Sequence, residues 1–314
     1  MTLTNIRFPE ENPFYLIKVR HIFCWLLLLF MGMLFQLEII SSTSEIKLDS
    51  TEPLVSQIVL TYVSILMLAL LWRQCKLAGI EIKHLIGKVP DRYQWLPLVG
   101  LALAHLFFSR GAFCIFYYPL SFIVPSFVEQ ILIDNQKMSI VSEGSTTFFP
   151  IAYYLIVAIN ICVIESILSA VIFMAIMLHR WGAKWGNVPA IIAVCMLLVA
   201  FDYPNFISLI LVILISAILY AKTRSLVVVI IFIALTEDIS STIWDLLGTV
   251  WGGNQAGSTL DVFRSQVQLG VLLFVVSAPW VIGFIYKNWS VLKGPLPYFA
   301  NASKAEKIKA DFET

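Results

Sequence analysis

Charged residues are scarce in this chain. Of its 314 residues only 13% are charged and 59% are hydrophobic, and the mean hydropathy is +0.86. A water-soluble domain carries about 25% charged residues, so the composition excludes an ordinary soluble domain and indicates an integral membrane protein. The formal net charge of +1, without a basic and aromatic patch, gives no indication of a nucleic-acid partner.

Paired cysteines are missing as well. The five cysteines stand singly, mostly inside apolar runs, at Cys24, Cys75, Cys114, Cys162 and Cys195. Without a Cys-x-x-Cys pair or a Cys/His cluster, the sequence predicts neither a structural zinc site nor a disulfide framework. It also identifies no cofactor.

Long apolar runs are what the chain does contain. A membrane-spanning helix needs about 20 apolar residues, and the candidate runs cover residues 22–41, 54–73, 95–125, 148–178, 188–203, 205–221, 225–245 and 266–286. Two short runs meet at Pro204, which cannot continue a helix without losing a hydrogen bond. The sequence therefore predicts an all-α, polytopic membrane helix bundle with about eight transmembrane helices.

The loops between these runs alternate in charge. Basic residues cluster before the first run, between the second and third, and in every second loop after that, whereas the remaining loops are mainly acidic. Basic loops mark the cytoplasmic side, so we expect a multi-pass protein with both termini in the cytoplasm. The pattern requires residues 95–125 to form one long, bent span, because a split at Ser109-Arg110-Gly111 would invert every later loop.

Carboxylates inside three of the runs are the main candidates for a functional site. Glu165, Asp202 and either Glu237 or Asp238 lie about 12–14 residues from the predicted cytoplasmic ends of their runs, a depth of roughly 18–21 Å. A carboxylate in lipid usually faces the bundle interior or a wet cavity. The three either share one polar site, where a hard cation would suit them, or are protonated and bonded separately to neighbouring helices.

Other polar residues in the runs leave alternatives open. Arg110 either pairs with a carboxylate, or snorkels towards the membrane surface or marks a break in its span, and His105 either carries a proton or packs through a hydrogen bond. His179, followed by Arg180 and Trp181, is expected at the membrane interface, where solvation and the aromatic belt explain it. A polar pocket opening outward, or simply helix ends, would account for Asn205, Ser240, Ser241 and Asp245.

Two stretches are similar to the motifs of a known family. ESILSAVIFMAIMLHRWG at 165–182 has the layout of a motif EExxxRG followed by an apolar helix and a basic-Trp-Gly turn. Residues 193–241 look like an FxxxH-type helix, a Leu-Tyr-x-x-Thr-x-Ser-Leu turn and a helix of HxxxN or HxxxD type; ILYAKTRSL at 218–226 is the closest match. Together they resemble the CAAX-processing and bacteriocin-processing (CPBP, or Abi) membrane endopeptidases.

The resemblance implies a division of the chain. It covers roughly residues 150–245 and implies N-terminal transmembrane helices and loops in 1–146 and a CPBP-like core in 147–246. The last transmembrane helix and a cytoplasmic tail occupy 247–314. Residues 79–101 are similar in character to cyanobacterial members, which implies a bacterial or cyanobacterial membrane.

Site residues follow from the same resemblance. In the family a glutamate activates water, and histidines and an asparagine support the water and the oxyanion. Glu165 matches the first glutamate of the motif, but Ser166 and Ala170 replace its second glutamate and its arginine. The histidine positions fall on Asp202 and Glu237, with alternative matches at Asn205, Thr236 and Asp238. An ionised aspartate cannot donate to an oxyanion, and losing one oxyanion donor costs a factor of about 10²–10³.

The missing histidines favour a non-catalytic function. We expect a membrane scaffold or regulator that holds a membrane protein or a prenylated peptide in the old substrate cavity. One alternative is an active endopeptidase of the CAAX type that uses Glu165 with Asp202 and Glu237. A second alternative is a proton- or cation-coupled transporter, because aligned carboxylates also suit ion relay.

Overall fold

Helices make up the regular structure in the computed structural model, which describes residues 12–43, 53–137, 149–201, 203–238 and 259–313. In lipid a helix satisfies its backbone polar groups internally, which favours this architecture. The helices are α1 (Val19–Thr43), α2 (Pro53–Leu77), α3 (Ile82–Ile86), α4 (Trp95–Ile123), α5 (Pro125–Lys137), α6 (Pro150–Trp185), α7 (Asn187–Phe201), α8 (Phe206–Thr223), α9 (Leu226–Ile233), α10 (Thr259–Asn288) and α11 (Pro297–Glu313). Short 3₁₀ turns occupy Pro13–Leu16, Tyr203–Asn205 and Trp289–Lys293.

Within the described ranges, five helical segments are long and apolar enough to cross a membrane. They are Pro53–Leu77, Trp95–Ile123, Pro150–Trp185, Tyr203–Thr223 and Thr259–Lys293. Shorter apolar helices lie at Val19–Met33, Asn187–Ala200 and Leu226–Thr236. The all-helical, membrane-type architecture predicted from composition is confirmed, whereas the total of about eight spans stays a prediction.

Two details of the predicted spans are borne out. α4 runs without interruption through Ser109-Arg110-Gly111, with Pro119 in its last turns, so residues 95–123 form one long helix. Before Pro204, α7 ends at Phe201, and α8 begins only at Phe206. Pro204 itself lies in a 3₁₀ turn, where its missing N–H costs no α-helical bond.

Helix α10 packs along helix α4. A Cβ atom on Gly111 of α4 would lie 2.5 Å from the carbonyl oxygen of Gly270 on α10, and one on Gly270 would lie 2.5 Å from the Cβ of Cys114. Small residues at a crossing let membrane helices approach closely. This crossing places residues of α4 next to residues of α10, although the two helices are far apart in the sequence.

A small cluster of apolar side chains covers one end of the α4–α10 pair. Val128 of α5 is fully buried there, with Phe113 of α4 and Phe263 of α10. Arg264 ties the pair together, because its Nε donates to the Ser121 hydroxyl at 3.1 Å. The Arg264 guanidinium also lies over the Phe122 ring, 4.3 Å from its centroid, a favourable cation–π distance.

The opposite end of the bundle gathers both ends of the described chain. We call its aromatic centre the His179 cluster, which consists of Phe14, His179, Tyr220, Tyr298 and Phe299. The His179 ring is fully buried and stacks on Phe14 with 4.9 Å between centroids. The prediction that His179 is solvated at the membrane interface is therefore wrong. Aromatic side chains from α8, α11 and the first 3₁₀ turn cover the ring and exclude water.

Arg180 holds the first 3₁₀ turn against this cluster. Its Nη1 donates to the carbonyl oxygens of Phe14 and Tyr15, both at 2.8 Å, and to that of Ile17. The Tyr15 and Ile17 carbonyls lie at the end of the turn, where intrahelical donors are lacking, and the Phe14 carbonyl also accepts from the Ile17 N–H. The guanidinium supplies further donors, so Arg180 has a structural role in docking the N-terminal segment.

Candidate functional site

Glu165 lies at the end of a π-helical segment inside α6. The segment is Asn160–Glu165, and a second one, Ala170–Met177, follows after a single α-helical turn. In an α-helix, residues five apart point about 140° away from each other. The wider π-turn, with its i to i+5 bonding, brings such residues together. Single π-turns of this kind occur frequently at functional sites.

The π-turn pairs Glu165 with Asn160. The side-chain amide of Asn160 donates to Oε1 of Glu165 at 2.8 Å. Asn160 is fully buried, and its Oδ1 atom has no hydrogen-bond partner. Glu165 itself is half-buried. An acceptor without a donor therefore lies beside a partly accessible carboxylate, and a buried unpaired acceptor costs about 1–3 kcal/mol.

The segment that carries Glu237 packs against this π-turn. It is also π-helical, Ala234–Asp238, and it contacts Asn160–Glu165 on one side and α4 on another. The structure describes the backbone of Glu237 and Asp238 but not their side chains. Asp202 falls outside the described residues altogether, together with Ser240, Ser241 and Asp245. The shared site of Glu165, Asp202 and Glu237 thus stays a prediction.

A polar cavity lies between α4, the start of α8 and the Ala234–Asp238 segment. Its volume is about 160 Å³. Water occupies about 30 Å³ per molecule in the liquid, so the space suits a few waters or one side chain. Its lining residues with polar side chains are His105, Ser109, Arg110, Tyr117, Asn205, Ser208 and Thr236. Asn205 belongs to this lining and is also the N-cap residue of α8, so the structure does not separate the pocket from the helix-end alternative for it.

His105 is the buried histidine of this cavity. Its Nε2 lies 3.3 Å from the carbonyl oxygen of Ser208 and 3.3 Å from the hydroxyl of Ser109. A carbonyl only accepts, so Nε2 carries the proton and the neutral ring leaves Nδ1 as an acceptor. Nδ1 has no partner, although the ring is 2% exposed. Hydrogen-bonded packing thus accounts for one nitrogen only.

Arg110 lines the same cavity. It is half-buried, and its guanidinium carbon lies 5.7 Å from the centroid of the Phe113 ring. The helix continues through Arg110, so the proposal that it marks a break in the span is wrong. Of the carboxylates considered as a partner of Arg110, Asp202, Glu237 and Asp238 have side chains outside the described residues, so the pairing stays a prediction.

Sequence reasoning missed Asn160. A signal for it exists, because an asparagine stands five residues before the glutamate in an otherwise apolar run. An α-helical periodicity of 3.6 residues assigns the two to different faces. Only a π-turn makes them neighbours, and no simple hydrophobic pattern announces a π-turn.

Metal binding finds no support in the described ranges. Among those residues no group of three or more histidine, cysteine, aspartate or glutamate side chains lies close enough to hold an ion. The cation considered for Glu165, Asp202 and Glu237 depends on side chains beyond these ranges.

Over the described residues, the fold and the site define an all-helical protein of membrane type, in which the half-buried Glu165 carboxylate pairs with the buried Asn160 amide and a polar cavity lies nearby. Comparisons of the chain with protein families, with curated proteins and with solved structures find no match.

Proposed function

We propose that the protein is a non-catalytic membrane scaffold or regulator of the CPBP type, which binds a membrane-embedded partner at Glu165. The observation that carries the proposal is the unpartnered Oδ1 of buried Asn160 beside the half-buried carboxylate. Both groups accept hydrogen bonds, so the pair suits a partner that presents an N–H or O–H donor. A donor held by a carboxylate in a low-dielectric interior forms one of the stronger hydrogen bonds in proteins.

Binding fits the surroundings of Glu165 better than peptide hydrolysis does. Acyl transfer needs donors aimed at a developing oxyanion. The Asn160 amide already donates to Glu165, and the His105 proton points to the Ser208 carbonyl. These two buried donors are therefore occupied by the protein's own acceptors.

The arrangement of the termini supports a cytoplasmic orientation for both. Phe14, near the start, and Tyr298, near the end, meet in the His179 cluster. Two termini on one side require an even number of crossings. Basic residues lie at this end of the bundle, namely Arg180, Lys184, Lys222 and Arg224, which favours the cytoplasmic side.

A binding assay with a matched variant tests the proposal. The full chain in lipid nanodiscs is mixed with a fluorescent prenylated peptide and, separately, with a fluorescent transmembrane peptide. Glu165→Gln keeps an oxygen for the Asn160 amide but loses the charge, so the fold persists. Because charged hydrogen bonds contribute about 1.5–3 kcal/mol, affinity should fall by roughly tenfold or more, with the peptide intact in both proteins.

Two outcomes would replace the proposal with one of the alternatives. Cleavage of either peptide by the wild type, abolished in Glu165→Gln, would establish an endopeptidase. Uptake of protons or cations into proteoliposomes, lost in the same variant, would establish a transporter. Equal affinity of both proteins for both peptides would remove Glu165 from the binding site.

A further inference from the structure

A second cavity lies in the middle of the bundle, and it is apolar. Its volume is about 200 Å³, and it shares no lining residue with the polar cavity. Seven of its nine lining side chains are hydrocarbon or thioether: Phe173, Met174, Leu198, Leu209, Val212, Ile213 and Ile233. The remaining two are Ser169 and Ser216. The cavity therefore lies between α6, α7, α8 and α9, and its polar side-chain groups are two serine hydroxyls.

Ser216 differs from the buried hydroxyls of Thr236 and Ser277. A serine or threonine inside a helix usually donates to a carbonyl one turn earlier. Thr236 does so to Phe232 at 3.0 Å, and Ser277 does so to Leu273 at 2.6 Å. The Oγ of Ser216 has no partner, although the residue is fully buried. An unpaired hydroxyl in this cavity is costly unless an occupant completes its hydrogen bond.

The size and lining of the cavity select the occupant. An apolar protein cavity of about 150 Å³ accepts benzene, a molecule of six carbons. A buried water needs about 2–4 polar partners, whereas most of this lining is hydrocarbon or thioether and favours an apolar occupant. An aliphatic molecule of about eight carbons with one hydroxyl would fill the space and satisfy Ser216 together.

The burial of the lining indicates which end of the molecule enters. Ser216, Met174 and Val212 are buried, whereas Leu198 and Leu209 are half-buried. Phe173 and Ser169 are half-buried as well, so the exposed edge of the cavity is mainly apolar and lies at the bundle surface, where the membrane supplies apolar molecules. We infer that this cavity is a binding site for an aliphatic alcohol, whose hydroxyl bonds Ser216 while its chain extends out between Leu198 and Leu209. The site does not involve Glu165 and stands independently of the proposed function.

Photolabelling tests this site directly. The full chain in phosphatidylcholine nanodiscs is exposed to 1-octanol that carries a diazirine on its chain. Light expels nitrogen from the diazirine, and the resulting carbene inserts into a neighbouring C–H or O–H bond. Peptide mapping by mass spectrometry should place the adducts within residues 169–174 and 198–216. Unlabelled 1-octanol should displace the probe better than octane does.

Two substitutions at one position separate the roles of volume and hydroxyl. Ser216→Leu fills the cavity and should lower the adduct yield about tenfold or more. Ser216→Ala keeps the space but removes the hydroxyl, so labelling persists while the preference for octanol over octane falls about fivefold, the factor of one net hydrogen bond. Ser277→Ala, which removes a bonded hydroxyl elsewhere, should change neither quantity.

Three results would overturn the inference. Adducts spread over lipid-exposed positions such as Val275 and Val276 would show partitioning into the bilayer. Undiminished labelling in Ser216→Leu would exclude the cavity, and an unchanged octanol preference in Ser216→Ala would exclude the hydroxyl contact. If Ser216→Leu fails to fold by circular dichroism, Ile213→Phe fills the same space and takes its place.

Discussion

Two buried histidines show how differently the two ends of this bundle are built. Tyr298 N–H donates to Nε2 of His179 at 3.0 Å, and Nδ1 lies 3.2 Å from the Met174 carbonyl. The backbone donor fixes Nε2 as the acceptor, so Nδ1 carries the proton and both nitrogens are satisfied. His105 has one satisfied nitrogen and one without a partner.

The difference teaches that burial alone does not separate structural histidines from available ones. Both rings are almost inaccessible, at 0% for His179 and 2% for His105. Their hydrogen bonds distinguish them, because a ring with both nitrogens engaged has no capacity left for a ligand. His179 joins three segments of the chain, whereas His105 borders a cavity and has an acceptor atom, Nδ1, without a hydrogen-bond partner.

The largest expected effect comes from removing the His179 ring, whose two nitrogens are both hydrogen-bonded. His179→Ala empties a stacked, fully buried site and removes the side-chain partners of the Tyr298 N–H and the Met174 carbonyl. Truncating a buried aromatic ring costs about 3–5 kcal/mol, so the unfolding midpoint in mild detergent should drop sharply. Circular dichroism during a denaturant titration measures the loss.

His105→Ala is the matched control for that variant. It gives up one pair of long hydrogen bonds and enlarges a cavity that admits water, so we expect a loss of about 1–2 kcal/mol. Equal losses at the two positions would contradict the distinction between the two histidines. His179→Phe should fall between them, because it retains the stack and loses both hydrogen bonds.

A smaller effect is expected at the helix crossing next to the polar cavity. In Gly111→Ala the new Cβ would lie 2.5 Å from the Gly270 carbonyl oxygen and 2.6 Å from the Cβ of Phe274. Forcing a methyl into a packed interior costs about 1–3 kcal/mol, because the α4 and α10 backbones must separate. The same denaturant titration applies.

Gly100→Ala on the same helix provides the control. Nothing lies within 4 Å of the position that its Cβ would occupy. Alanine is the better helix former by about 0.8–1 kcal/mol, so this variant should be neutral or more stable. A loss at Gly100 equal to that at Gly111 would attribute both to helix propensity instead of the crossing.

The smallest effect concerns alkaline pH at the His179 cluster. Burial raises the pKa of the Tyr298 phenol above its ordinary value, which is about 10. Folding therefore favours the neutral phenol. Its contribution is complete below the unfolded pKa and is lost as pH rises through the higher folded pKa.

Tyr298→Phe should accordingly flatten the dependence of stability on pH above about pH 10. Thermal unfolding midpoints of the wild type and the variant, recorded from neutral to alkaline pH, measure this slope. Below that range the two curves should run parallel. A slope unchanged by the substitution would show that the phenol ionises without disturbing the cluster.

Much of the fold could be predicted because it follows from local chemistry. The scarcity of charge and the long apolar runs predict a helical membrane protein, and loop charge correctly predicts one helix through Arg110. The break at Pro204 also follows from one residue's missing N–H. These features depend on the residues themselves and their near neighbours.

The site could be predicted only in part, because its chemistry depends on helix irregularities and on contacts between distant segments. Glu165 was identified from its cost in lipid, but its partner Asn160 becomes a neighbour only through a π-turn. His179 was misplaced, since its covering residues Phe14 and Tyr298 come from opposite ends of the sequence.

The sequence by itself determined that the chain partitions into a membrane as helices and that it carries carboxylates where lipid disfavours them. Hydropathy and the cost of burying charge depend on the residue types themselves and on their neighbours along the chain. The tertiary structure decided which polar atoms find partners. Packing leaves Asn160 Oδ1, His105 Nδ1 and Ser216 Oγ unsatisfied while it saturates His179. Hydrogen-bond satisfaction is a property of three-dimensional neighbours, and those neighbours here come from residues as far apart as Phe14 and Tyr298.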